Sequence, residues 1–258
     1  MKEMLIAGNW KMNTNLFESI KLIEYIAGGL INKKLQSKIL VCPPFTSIAA
    51  VRDVAIGRNI ALGAQNCYWE SKGAFTGEIS IPMLHYLDCS YIIIGHSERR
   101  IFFNETDETV NRKTIAVLEA GLSAIVCIGE TLNERKNGLA LEILERQIVQ
   151  GFKNIKSECI NNIIIAYEPV WAIGTGLAAT PEQIQDAHEF IKKLLIQVLG
   201  IEAKSIIVLY GGSVSAANAL SILELKDVNG ALIGGSSIDP EAFLSIIDTA
   251  EKILEELT

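Results

Sequence analysis

Eight short apolar runs recur along the chain, and each is followed by a longer segment with apolar residues at helical spacing. The runs lie at 5–10, 39–42, 60–64, 91–95, 124–128, 163–167, 206–210 and 230–233. Several are apolar without interruption, as in Tyr91-Ile92-Ile93-Ile94, which predicts parallel strands buried on both faces. Between them the spacing predicts helices over 16–30, 46–55, 105–120, 139–156, 181–199, 215–223 and 240–254, and a short irregular one over 80–86. The helix boundaries carry their own chemistry. Thr180-Pro181-Glu182-Gln183 offers a capping hydroxyl, a proline at the first helical position and a capping-box glutamine. Asp239-Pro240-Glu241 repeats the cap-then-proline device, while Gly121 and Gly200 stand where helices end.

Strand then helix, eight times over, is the pattern of a parallel α/β fold. An open, doubly wound sheet that binds a dinucleotide would show G-x-G-x-x-G after its first strand. Here that strand leads into Gly8-Asn9-Trp10-Lys11 instead. A (β/α)8 barrel takes about 250 residues, and no linker, low-complexity tract or charge block divides the chain. The expectation is α/β, a single-domain (β/α)8 barrel over residues 1–258.

Composition narrows the function. A formal net charge of −7 argues against nucleic acid and against an anionic membrane as partners. No apolar run approaches the ~18 residues of a membrane span, and the first residues turn polar too early for a secretory signal. The five cysteines, Cys42, Cys67, Cys89, Cys127 and Cys159, are widely spaced. They are expected to be buried reduced thiols of a cytoplasmic protein, not metal ligands.

Chemistry in such barrels gathers at the carboxyl ends of the strands. The first strand ends Asn9-Trp10-Lys11, with residues 9 and 11 on one side if the strand geometry persists. The fourth ends Gly95-His96-Ser97-Glu98, and a helix starting there, capped by Ser97-Glu98, is expected to keep the His96 imidazole neutral. His85 and His188 fall on helices and are read as structural or exposed. The sixth strand delivers Glu168 to the mouth, where partial burial is expected to raise its pKa and make it a base near neutrality. After it runs Pro169-Val170-Trp171-Ala172-Ile173-Gly174-Thr175-Gly176-Leu177-Ala178-Ala179. This long apolar segment with two glycines reads as a lid. The last two strands end in Gly211-Gly212-Ser213 and Gly234-Gly235-Ser236, paired glycines whose N–H groups can approach a phosphate closely.

Taken together, these stretches resemble the triosephosphate isomerases, whose fold is the TIM barrel. The matching motifs are Ala7-Gly8-Asn9-Trp10-Lys11-Met12-Asn13, Gly63-Ala64-Gln65-Asn66, Gly73-Ala74-Phe75-Thr76-Gly77-Glu78, Ile94-Gly95-His96-Ser97-Glu98-Arg99-Arg100, Ala166-Tyr167-Glu168-Pro169-Val170-Trp171-Ala172-Ile173-Gly174-Thr175-Gly176 and Tyr210-Gly211-Gly212-Ser213-Val214. The resemblance covers essentially the whole chain. It implies interconversion of D-glyceraldehyde 3-phosphate and dihydroxyacetone phosphate through an enediolate, in glycolysis and gluconeogenesis, without metal or cofactor. It implies Glu168 as base, His96 as neutral electrophile, Lys11 as the cation that offsets enediolate charge, and Asn9 as a donor to substrate oxygens. Gly174, Ser213, Gly234 and Gly235 would bind the phosphate, and Glu98 would support Lys11 and His96. A homodimer is implied, formed through the loop around Gly73 to Glu78. The far end of the lid departs from the family: Leu177-Ala178-Ala179 stands where Lys-Thr-Ala is common. Two other readings stay open on residues alone: an aldolase using Lys11 as a Schiff-base amine, and a binding protein that reuses the fold.

Overall fold

The computed structural model describes residues 2–173 and 178–257. The elements run β1 (Leu5–Asn9), α1 (Leu16–Gly29), β2 (Lys38–Cys42), α2 (Ile48–Ala55), β3 (Ile60–Ala64), α3 (Ile81–Tyr86), β4 (Cys89–Ile94), α4 (Ser97–Phe102), α5 (Asp107–Glu119), β5 (Ser123–Ile128), α6 (Leu132–Lys136), α7 (Ala140–Gly151), β6 (Ile163–Tyr167), α8 (Pro181–Leu199), β7 (Ile207–Tyr210), α9 (Ala219–Leu223), β8 (Gly230–Ile233) and α10 (Pro240–Glu256). The strands form a closed barrel in chain order. All pairs are parallel, and β1 closes the ring on β8 through Leu5↔Gly230 to Gly8↔Ile233.

Strand alternation divides the buried residues into two sets. Leu5 and Ala7, Leu40 and Cys42, Ile93, Ile125 and Cys127, Ile164 and Ala166, Leu209 and Leu232 fill the inside of the barrel. Their neighbours, such as Ile6, Ile39, Ile92, Val126, Ile165, Val208 and Ile233, face outward and pack against the helices. Both faces are therefore dry, which is why the strands read as unbroken apolar runs. Because the inward set has period two, the next inward positions are Asn9, the last residue of β1, and, just past the strand ends, Glu168 on β6, Gly211 on β7 and Gly234 on β8.

The expected strands are all present, with ends shifted by a residue or two. Thr180 and Gln183 form the expected capping box of α8, and Asp239 caps α10. The helix expected over 105–120 begins at Asp107, because Thr106 is its cap and Glu105 turns to Arg99 and Lys113 instead. The helix expected over 139–156 stops at Gly151, and Asn154 adopts a positive φ just beyond it. The 215–223 helix begins only at Ala219, since the Asn218 side chain accepts the Ser215 N–H and holds a turn there. The turns α4 and α6, of six and five residues, are too short to show a helical period.

Candidate active site

Asn9, Lys11, His96, Glu168 and the glycine-rich ends of β7 and β8 line one cavity of about 340 Å³ at the carboxyl end of the barrel. Each group arrives there for a different local reason. Glu168 continues the inward set Ile164, Ala166. It is 2% exposed, and its backbone N–H donates to Ile128 O at 2.7 Å. Room for it exists because Gly211 has no side chain: a Cβ there would stand 2.8 Å from Glu168 Cγ.

His96 breaks the alternation. It follows two outward residues, Ile92 and Ile94, in parity, and Gly95 at φ +69 turns the chain so that the ring enters the mouth. His96 is itself the N-cap of α4, its ring accepting the Glu98 N–H. The expected Ser97-Glu98 cap is thus corrected by one position: His96 has the extended ψ of 141° that a cap requires, and Ser97 is already helical.

The two groups meet directly. His96 Nε2 lies 3.0 Å from Glu168 Oε1, and the Ser97 N–H donates to Glu168 Oε2 at 2.8 Å. Burial alone would raise the carboxyl pKa, but the imidazole and the Ser97 N–H outweigh it and hold Glu168 below the usual carboxylate range. The expected upward shift is therefore reversed in this resting arrangement, because the carboxylate is hydrogen-bonded as well as buried. Two influences oppose each other on His96: burial disfavours the imidazolium, and the Glu168 charge more than offsets it, so the ring titrates above its ordinary range. This too departs from the expected effect of the helix end. The hydrogen bonds nevertheless assign a tautomer. Glu98 N–H donates to Nδ1 at 3.2 Å, so Nδ1 keeps its lone pair and the single proton lies on Nε2, toward Glu168.

Lys11 adopts φ +51, unusual for a residue with a side chain. Its N–H donates to Asn9 Oδ1 at 3.1 Å, its carbonyl accepts from Gln65 Nε2 at 2.8 Å, and its ammonium pairs with Glu98 at 2.6 Å. The Asn9 oxygen is thereby occupied and its amide N–H groups are left for the cavity. The ion pair also bears on the aldolase reading, since a Schiff-base lysine needs an uncharged amine in apolar surroundings. Glu98 Oε2 stands 3.6 Å from His96 Nδ1, beyond hydrogen-bond reach, so its side chain pairs with Lys11 and its backbone N–H with the ring.

Ser213, Gly234 and Gly235 line the far wall of the same cavity. Gly174, Thr175, Gly176 and Leu177 lie outside the described residues. Of the remaining lid positions, Val170–Ala172 form a single 3-10 turn. Ile173 lines the cavity, and Ala179 packs against the apolar core. Trp171 is buried, not exposed, and its Nε1–H donates to Glu130 at 2.8 Å. Glu130 is a residue that sequence reasoning passed over. Fully buried, it also accepts from the Tyr167 hydroxyl and pairs with Arg135. Gln65 was missed as well, although its motif had been noticed. His188 is buried with Nδ1 against Ile184 O, and His85 is exposed, so neither joins the site.

Comparison with known proteins agrees with this geometry. The family model described as triosephosphate isomerase matches residues 4–250. A triosephosphate isomerase of Endomicrobium trichonymphae is 45% identical over 247 residues, covering 96% of this chain and 98% of that protein. One of Geotalea uraniireducens (strain Rf4) is 46% identical over 252 residues, covering 97% of this chain and all of the relative. The crystal structure of triosephosphate isomerase from Bartonella henselae superposes with a TM-score of 0.86 at 42% identity, over 95% of this chain and 98% of that one. With a matched family model, full-length relatives and a closed barrel that carries the paired acid and imidazole at its mouth, the chain belongs to the triosephosphate isomerase family.

Proposed function

We propose that this chain interconverts D-glyceraldehyde 3-phosphate and dihydroxyacetone phosphate, with Glu168 as the base and His96 as the electrophile. The observation that carries the assignment of roles is the 3.0 Å approach of His96 Nε2 to Glu168 Oε1 inside the cavity. A substrate carbonyl entering there takes the Nε2–H for its oxygen and frees the carboxylate. Glu168 remains buried but loses a hydrogen-bond donor, and burial then raises its proton affinity. It removes the proton from the carbon beside the carbonyl, negative charge builds on oxygen, and His96 hands that oxygen its Nε2 proton. Return of the proton from Glu168 to the neighbouring carbon, while His96 Nε2 recovers a proton from the hydroxyl on the carbon first deprotonated, forms the new carbonyl, restores the imidazole and completes the shift. Lys11 and the Asn9 amide face the oxygens where the charge develops, and fixed donors act there at full strength. The N–H groups of Ser213, Gly234 and Gly235 take the phosphate, and Ile173, from the described start of the expected lid, contributes to the cavity wall. No metal or redox group has a step to perform in such a transfer.

A homodimer belongs to the same proposal. Met12, Phe45, Phe75 and Phe102 are exposed, and they follow β1, β2, β3 and β4, four consecutive staves of the barrel. They thus fall on one side of the rim. No helix among the described residues is long and apolar enough to cross a membrane. A cytoplasmic setting is supported by five cysteines that form no disulfide.

The test is the conversion of glyceraldehyde 3-phosphate to dihydroxyacetone phosphate by the purified chain, alongside Glu168→Asp. The variant keeps the charge but withdraws it by one methylene. Fast turnover by the parent and a loss of tenfold or more in the variant, ~1.4 kcal/mol of barrier per factor of ten, is the expected result. A folded parent without turnover refutes the reading.

A further inference from the structure

Arg100 lies on α4, one turn beyond His96, and its guanidinium folds back toward the ends of two neighbouring strands. Nε donates to Gly95 O at 2.9 Å and Nη2 to Cys127 O at 3.3 Å. Nη1 pairs with Asp107 Oδ1 at 2.6 Å, the two side chains each 16% exposed, and Arg146 on α7 holds the other oxygen of Asp107. One planar group therefore bridges the carboxyl ends of β4 and β5 and is fixed from behind by the first residue of α5.

Both carbonyls matter to the site. Gly95 is where the inward–outward alternation of β4 fails, at φ +69, and the carbonyl that Arg100 holds belongs to the peptide joining Gly95 to His96. On the other side, Cys127 is followed by Ile128, whose carbonyl receives the Glu168 N–H. The backbone that carries His96 and the strand whose end receives the Glu168 N–H are thus tied to one guanidinium.

We propose that Arg100 is a positioning residue for the isomerisation: by clamping the Gly95–His96 peptide to the end of β5 it sets the His96 imidazole against Glu168. The proposal rests on the roles given above to His96 and Glu168, and Arg100 itself touches no substrate. A lysine cannot replace it, because an ammonium is a point charge and not a fork able to meet two carbonyls and a carboxylate in fixed directions. Groups that face the phosphate stand on β7 and β8, away from the clamp, so the loss should fall on the chemical step and not on binding.

The experiment compares the parent with Arg100→Lys, Arg100→Ala and Asp107→Asn. Misplacement by an ångström costs about 10²-fold in rate, so kcat should fall by roughly 10–100-fold in both Arg100 variants, with KM within about twofold. Millimolar guanidinium should restore kcat to Arg100→Ala but not to Arg100→Lys, whose side chain fills the slot. Asp107→Asn, which loosens the guanidinium without removing it, should give a smaller loss of the same kind. A second readout needs no turnover: the His96 Nε2–H proton resonance of the free protein, assigned with His96→Gln, should shift or broaden in Arg100→Lys. Folded Arg100 variants with parental kcat, or a loss that guanidinium leaves untouched and that follows the melting temperature, overturn the proposal. If the parent does not isomerise triose phosphates, the functional reading fails instead. The resonance then decides the clamp alone, and an unmoved His96 signal overturns it.

Discussion

Lys11 is held in a left-handed backbone conformation that costs a residue with a Cβ roughly 1–2 kcal/mol, and three polar contacts, to Asn9, Gln65 and Glu98, keep it there. Strain of this kind aims the ammonium into the cavity instead of along the strand. Lys11→Met keeps the aliphatic stem and removes the charge. Its expected effect is a loss of about 10²–10³-fold in kcat, the usual cost of deleting a donor at a developing oxyanion, with an unchanged far-ultraviolet dichroism spectrum. Retention of most of the activity would separate the ammonium from the chemistry. A second residue-scale prediction concerns His188, packed edge-on to Tyr167 with ring centroids 5.7 Å apart. Burial lowers its pKa from 6.5 to about 4. Its folded form binds fewer protons than its unfolded form between those values, so stability is complete above pH 6.5 and falls as the pH drops toward 4. The full loss is about 3 kcal/mol at ~1.4 kcal/mol per pH unit. Urea denaturation at pH 7 and pH 4.5 should show a much steeper acid loss in the parent than in His188→Gln, and equal slopes in the two proteins would contradict this account.

At the scale of elements, α8 starts on a hydroxyl: Thr180 accepts the Gln183 N–H at 3.3 Å, and the Gln183 side chain returns a bond to the Thr180 N–H at 3.1 Å. Thr180→Ala leaves the Gln183 N–H without its acceptor and should cost about 1 kcal/mol, a drop of roughly 2–4 °C in melting temperature for a chain of this size. Should the melting point hold, the cap is not what starts the helix. Such caps, like the strands, were legible in the sequence, because each rests on chemistry local to a few residues. Glu168 was legible for a similar reason: it is the next inward step after Ile164 and Ala166, and the period of two carries it to the mouth. His96 reaches the mouth against that period, through a turn at Gly95 that the letters do not announce. Lys11 likewise owes its aim to a backbone conformation that an ordinary strand continuation would not give. Glu130 was invisible as a partner of Trp171 and Tyr167, since the three come together only when β5 and β6 are paired. The pKa directions of Glu168 and His96 were misjudged because burial of the one and the helix end beside the other were legible and the contact between the two was not.

For the whole molecule the open term is the apolar side of the rim. Met12 is 96% exposed and Phe102 71% exposed in the single chain. Contiguous apolar surface is rare on proteins that work alone, and a two-fold dimer would bury the same patch on both copies. The consequence reaches the chemistry, because Met12 is the immediate neighbour of Lys11. Beyond Lys11, Thr14 has a second positive φ of 69°, and the connection from Lys11 to α1 is held within the chain by contacts such as Asn13 Nδ2 to Trp10 O at 2.7 Å. If the proposed dimer forms, a partner surface supplies the rest of the support for that strained lysine. Phe75→Glu places a charge on the loop expected to dock, and an unpaired charge at a buried interface costs several kcal/mol. The parent should therefore sediment at twice the chain mass and Phe75→Glu at the chain mass, with kcat at least tenfold lower (~1.4 kcal/mol of barrier) and partly recovered as the protein concentration rises. Sedimentation velocity paired with activity across a dilution series separates the outcomes. A parent that sediments as a single chain at full activity would mean that Lys11 is held by its own chain alone and that the apolar rim serves some other contact.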